Sequence, residues 1–220
     1  MKESIENVVS TISDNLCDFF SLMDNDRVIV FDTETGGLET TSPVLSISAI
    51  LLKINKNKEM FEVDRYNRFY YPNPSKYCHP KAIEVNGITN DKIEELRGRS
   101  PYPDYFEDDI KSFYEWCSGC IAFIGHNVQF DLKYVPDLVY TTIFDTMLTN
   151  INYVQSEWND YRNSWKWPKL IETCAKYSIK VKEGRLHESI YDVELTAEVF
   201  KCMLKEFPFR MKRLREYEVI

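Results

Sequence analysis

The feature that most narrows the possible folds is a set of β-branched and aromatic runs early in the chain. Val28–Phe31 is short and apolar, Val44–Lys53 is longer, and Phe61–Tyr71 is aromatic but alternates less cleanly. Runs of this kind read as strands. The polar stretch Asn55–Lys58 between the last two predicts a hairpin-like turn. Three prolines within Tyr71–Pro80 predict a loop. Asp108–Cys117 has a helical pattern, Ile121–Ile124 is a further buried strand, and helical patterns follow at Val128–Val135, Lys169–Tyr177 and Ile190–Phe207. Antiparallel strands first and strand–helix alternation later predict an α/β chain, a mixed sheet flanked by helices. Upstream, Ile5, Val8, Ile12, Leu16, Phe19, Phe20 and Met23 line one face of an amphipathic helix over Glu3–Met23, which the polar turn Asp24–Asp26 ends.

Charge and cysteine content exclude several functions. With 220 residues and a net charge of −8, the chain is not built to coat duplex DNA by bulk charge. A nucleic-acid enzyme whose local field comes from bound cations remains open. No apolar run approaches the roughly 20 residues of a membrane span, so no membrane partner is expected. Six cysteines without a secretory leader read as reduced thiols, and the expected location is cytoplasmic.

Three segments carry chemistry. In Phe31–Gly37 (FDTETGG), Asp32 and Glu34 flank Thr33, so on an extended backbone both carboxylates share a face. Paired like charges repel unless a cation lies between them, and oxygen-only ligands favour Mg²⁺ or Mn²⁺. In Ile121–Asp131 (IAFIGHNVQFD), a strand breaks at Gly-His-Asn. There Asn127 is a candidate N-cap and Asp131 falls about one turn into the next helix. In the third segment His187 precedes Asp192 as His-x-x-x-x-Asp, with Ser189 the candidate N-cap between them. A loop histidine beside carboxylates is a natural general base. Taken singly, each has an ordinary explanation: an acidic turn, a solvated first-turn aspartate, a surface histidine.

Together and in this order they resemble the DEDDh (DnaQ-like) family of 3′–5′ exonucleases, which includes polymerase proofreading subunits of the polymerase III epsilon type and RNase T. Asp32, Glu34, Asp131, His187 and Asp192 fill the family pattern. Glu188 stands where the tyrosine branch would place its tyrosine, so the histidine branch is implied. Ala82–Thr89 (AIEVNGIT), Phe144–Asn150 (FDTMLTN) and Pro168–Ile179 also match, and the resemblance runs from about Arg27 to Phe207. It implies an RNase H-like mixed five-stranded sheet as an exonuclease domain over 26–207, between the N-terminal helix (1–25) and a basic end (208–220). It further implies two Mg²⁺ (or Mn²⁺) held by Asp32, Glu34, Asp131 and Asp192, with His187 as base. The expected substrates are single-stranded or frayed 3′ ends, DNA favoured over RNA, yielding 5′ nucleoside monophosphates. A polymerase or a second copy is a possible partner. The alternatives are an RNA-trimming exoribonuclease and a non-catalytic interaction module of the same fold.

The resemblance also assigns Thr35, Gly36 and Leu38 to cradling the terminal nucleotide, with Asn127 a weaker candidate. Three departures from the pattern stand out. Asn86 replaces the histidine that many relatives carry before Gly-Ile-Thr, Ile151–Trp167 is longer and more aromatic, and the N-terminal helix lies outside the resemblance. Trp158, Tyr161, Trp165 and Trp167 stack bases or pack the insert onto the domain. Arg210, Lys212, Arg213 and Arg215 track a phosphate backbone or form a solvated helix face. Cys117 and Cys120 form one CxxC with no second pair, which argues against zinc.

Overall fold

The structure is a computed structural model that describes residues 26–55, 57, 59–140, 142–185 and 188–217. The helix expected over Glu3–Met23, His187 and part of the turn at Asn55–Lys58 lie outside the described residues.

Five strands form one mixed sheet in the order β3-β2-β1-β4-β5. β1 (Arg27–Thr35), β2 (Val44–Ile54) and β3 (Met60–Phe69) are antiparallel, while β4 (Ala122–Gly125) and β5 (Thr142–Asp145) run parallel to β1. Two helical layers cover the sheet, so β1 is buried on both faces and shows no polar alternation over its first half. Val28 and Val30 pack with Phe144, Val199 and Phe200 on one face. Ile29 and Phe31 pack with Phe113, Phe123 and Val128 on the other. The helices are α1 (Pro80–Asn86), α2 (Asn90–Arg97), α3 (Phe106–Trp116), α4 (Val128–Leu132), α5 (Thr146–Val154), α6 (Leu170–Lys176) and α7 (Ser189–Tyr217).

Several expectations need adjusting. The loop expected up to Pro80 gives way to α1 at that proline, because a missing N–H costs nothing at the first helical position. The last helix does not stop at Phe207 but runs to Tyr217, so the basic end continues the same helix. Within the aromatic insert, α5 extends to Val154 and a small hairpin follows, β6 (Trp158–Asn159) with β7 (Ser164–Trp165). Trp158 and Trp165 pair edge to face across it at 5.0 Å, while Tyr161 is left 97% exposed at its tip.

Ser189 is the first residue of α7 rather than its cap. Its buried hydroxyl lies 3.0 Å from Ser46 Oγ and 2.5 Å from Ser48 Oγ on β2. In the β1–β2 register Ser46 stands opposite Glu34 and Ser48 opposite Asp32. The serine cluster therefore docks the start of α7 beside both acidic residues, with Asp192 in the first turn of the helix. Replacing Ser189 by alanine removes the shared partner of two buried hydroxyls. The variant should lose about 1–3 kcal/mol, measured as a lower urea midpoint at unchanged m-value.

Candidate active site

The site forms where β1 outruns its parallel neighbour. β1 and β4 pair only through Val30–Ile124, because the chain leaves β4 at Gly125 and turns through His126 and Asn127 into α4. Gly125 permits that turn by lacking a Cβ, which would lie 2.8 Å from the Val128 Cβ. Asn127 takes a left-handed conformation, φ 73°, and its N–H is held by Asp145 Oδ1 at 3.1 Å. It occupies the N-cap position of α4 without a capping bond from its side chain. His126 is half-buried, with Nδ1 3.0 Å from Thr146 Oγ1 and Nε2 3.0 Å from the Pro168 carbonyl. Burial holds its pKa below the usual imidazole value. This histidine ties β4 to α5 and to the approach to α6.

Beyond Val30, the free edge of β1 is met by a side chain. Asp131 Oδ1 accepts from the Thr33 N–H at 2.9 Å and from the Thr33 hydroxyl at 2.7 Å. A carboxylate on α4 thus replaces the missing strand partner and is fixed against the acidic pair. Thr33 is the residue that the motif reading passed over, since threonine between two acids carries no signal of its own. Asp192 reaches the same place from α7.

Asp32, Glu34, Asp131 and Asp192 are close enough to act on one another electrostatically. Burial, then Asp131, Glu34 and Asp192, push the Asp32 pKa far above the carboxylate range. Burial, then Asp192 and Asp131, raise Glu34, opposed by the nearby Asn86 side-chain amide. Burial also raises Asp131, against the Thr33 bonds that favour its ionised form. Among the described residues, no three His, Cys, Asp or Glu side chains already converge as an ion cage. By chemistry the donors suit a hard divalent cation: they are all carboxylate oxygens, and each is strained by its neighbours' charge.

A cavity of about 740 Å³ opens next to this cluster. Of the four carboxylates, only Glu34 lines it, together with Thr35, Gly37 and Leu38 on one wall. The segment through Tyr77, His79 and Lys81 and the α1 residues Val85 and Asn86 form the other wall, with Phe130 from α4. Leu38 is 81% exposed and Val85 64% exposed, an unusual pair of apolar side chains to leave in water. The structure brings Thr35 and Leu38 to this cavity but not Gly36 or Asn127. Gly36 instead sits where chain segments cross. Its N–H donates to the Pro43 carbonyl at 2.8 Å, its carbonyl accepts from the His79 N–H at 2.6 Å, and a Cβ would meet Cys78 Sγ at 2.8 Å. None of Trp158, Tyr161, Trp165 and Trp167 lines the cavity. Cys117 and Cys120 lie in the core, where burial raises both thiol pKa values. Tyr77, His79, Val85 and Phe130 were not read as site residues; the matching stretch Ala82–Thr89 was the available signal for this wall.

The mixed five-stranded sheet carries acidic residues at the end of its central strand, and comparison with known proteins says which family this belongs to. Residues 29–200 match the model of the RNase_T exonuclease family, and the chain belongs to that family of 3′–5′ exonucleases. It is 25% identical over 192 residues to the PolC-type DNA polymerase III of Bacillus subtilis (strain 168), covering 84% of this chain but 12% of the polymerase. It is 25% identical over 211 residues to Ribonuclease T of Actinobacillus pleuropneumoniae serotype 5b (strain L20), covering 87% of this chain and 88% of the relative. Its fold matches E. coli Exonuclease I, solved with a dT13 oligonucleotide, at a TM-score of 0.62 and 15% identity, over 87% of this chain and 43% of that one. The chain thus spans a small fraction of the polymerase, under half of Exonuclease I and most of Ribonuclease T. Among the described residues no helix is long and apolar enough to cross a membrane.

The raised carboxyls have a stability consequence whose sign is fixed. Asp32, Glu34 and Asp131 bind protons more readily in the folded chain than in the unfolded one. The folded chain is therefore favoured at low pH and loses that advantage as pH rises from the ordinary carboxylate range, about 4, through the raised values. In chelator, Tm should fall between about pH 5 and about pH 8. Glu34→Gln should raise Tm at the upper end and flatten the slope, as read by scanning calorimetry. A Tm that climbs over this interval would contradict the assignment.

Proposed function

We propose that the chain removes nucleotides one at a time from the 3′ ends of single-stranded or frayed DNA, releasing 5′ nucleoside monophosphates. The observation that carries this reading is the meeting of Asp32, Glu34, Asp131 and Asp192 beside a cavity rimmed by exposed Leu38. Asp32, which feels the other three carboxylates, would hold two Mg²⁺ or Mn²⁺ ions together with Glu34, Asp131 and Asp192. Bound there, the ions supply positive charge to the scissile phosphate and make water a better nucleophile.

The remaining work falls to the chain. Thr33 keeps Asp131 in place through its two hydrogen bonds. His187, placed by the sequence shortly before Asp192, accepts the proton of the attacking water. The cavity seats the terminal nucleotide, and Leu38 wedges against its base. A paired base cannot enter without unstacking, which costs a few kcal/mol, so frayed and mismatched ends are preferred. The field of the cluster repels a phosphodiester until cations are present, which reconciles a net charge of −8 with a polyanionic substrate.

RNA trimming is a second reading, favoured by the near full-length match to Ribonuclease T. DNA and RNA oligonucleotides labelled at the 5′ end decide between the two. A descending ladder with Mg²⁺ on DNA is expected, and a faster one on RNA would favour the second reading. Immediate release of a labelled mononucleotide, or cutting of closed circles, would refute both.

Two variants test the residue roles. Asp32→Ala should slow hydrolysis by on the order of a hundredfold or more, like removal of other charge-stabilising groups. Chelator should abolish activity and Mg²⁺ or Mn²⁺ restore it. Leu38→Ala should narrow the preference for single strands over blunt duplex while leaving the metal requirement unchanged.

A further inference from the structure

Three exposed apolar side chains line the cavity: Leu38 and Val85 are aliphatic, whereas Tyr77, 70% exposed, is aromatic. The chain beside Tyr77 is held firmly although its ring stands in water. His79 donates its N–H to the Gly36 carbonyl at 2.6 Å. Its Nδ1 lies 3.1 Å from the Lys81 N, and a backbone N–H can only donate, so this imidazole nitrogen is the acceptor. Fastened at backbone and ring, His79 meets the Tyr77 ring edge to face, with centroids 5.9 Å apart and planes at 77°. Among the described residues this perpendicular contact is the only ring contact of Tyr77, so no side chain covers it by stacking.

Lys81 lies on the same wall. It is the only lysine or arginine that lines the cavity, which also carries Glu34 and Glu39. Among the described residues its ammonium enters no ion pair. A strand entering the cavity brings one negative charge per linkage, and cations at the carboxylate cluster serve the scissile phosphate alone. The next phosphate back along the strand needs a cation from the chain. The next base, parted from the terminal one by Leu38, needs a ring to replace the neighbour it has lost. An aliphatic side chain offers no such face.

We propose that Tyr77 and Lys81 form a subsite for the nucleotide next to the 3′ terminus. Tyr77 stacks on its base, and Lys81 meets the phosphate on its 5′ side. An aromatic face beside a cation is the combination by which proteins hold single strands without reading their sequence. This rests on the proposed nuclease reading and extends it from the terminal nucleotide to the second one. Both groups act in binding and neither touches the reacting atoms.

The test uses the intact chain with Mg²⁺ and two oligothymidylates labelled at the 5′ end, one complete and one lacking the base next to the 3′ terminus. Wild type, Y77A, Y77F and K81M are compared by kcat and KM. On the complete strand Y77A should raise KM on the order of tenfold, the usual effect of removing one base–aromatic stack, with kcat little changed. Y77F keeps the ring and should stay close to wild type. On the strand lacking that base, wild type and Y77A should converge in KM, because the ring has nothing left to stack on. A side chain that only supported the fold would lose equally on both strands. K81M should flatten the slope of log KM against log salt concentration by about 0.7, the share of one phosphate on a single strand. Equal KM for wild type and Y77A on the complete strand would overturn the proposal. So would an equal loss on both strands, or an unchanged salt slope in K81M; none of these touches the nuclease reading. A wild type that cleaves neither strand would overturn that reading and the subsite with it.

Discussion

Mutual repulsion among close-set, partly buried carboxylates is the constraint on which the rest of the molecule depends. Asp32 feels burial and three neighbouring acids at once, an arrangement no chain adopts for stability's sake. The surroundings of the cluster hold it in place. Thr33 donates twice to Asp131, the serine cluster pins α7 beside β2, and the Asn86 amide holds the Thr35 carbonyl at the end of β1. These neutral donors restrain the acids without neutralising them. Lysine or arginine there would pair with the carboxylates and compete with any cation for the same oxygens.

Topology makes this gathering possible. A parallel strand that stops early leaves its neighbour with bare edge groups, and in this sheet β4 ends while β1 continues. The N–H of Thr33, left without a strand partner on that edge, then recruits an aspartate from the helix that follows β4. Residues far apart in sequence meet because both lie just past the same end of the sheet, the usual place for a site in open α/β folds.

Much of this was legible in the sequence, for definite reasons. β1, β2 and β4 are buried on both faces and read as continuous apolar runs. The pairing of Asp32 with Glu34 follows from strand geometry, and the place of Asp131 and Asp192 on helix starts follows from periodicity. What was hidden was short or contextual. β6 and β7 have two residues each, too few to show a period. α1 was masked by a proline-rich approach whose last proline opens the helix. Thr33, Val85 and Phe130 are ordinary residues whose roles come from what surrounds them, and Ser189 was mistaken for a cap because its partners lie on a distant strand. His187 is identified from its spacing to Asp192 and from the family pattern that this spacing fits.

Gly36 carries a consequence of a different kind. Both its polar backbone groups are engaged, one with Pro43 and one with His79, so the two walls of the cavity are laced together by main chain. Main-chain bonds do not depend on which side chains flank them. The Gly36–His79 bond therefore survives exchange of Leu38, Tyr77 or Val85, none of whose side chains takes part in it. A lineage could retune which bases it grips by exchanging those surfaces while that main-chain tie stays in place.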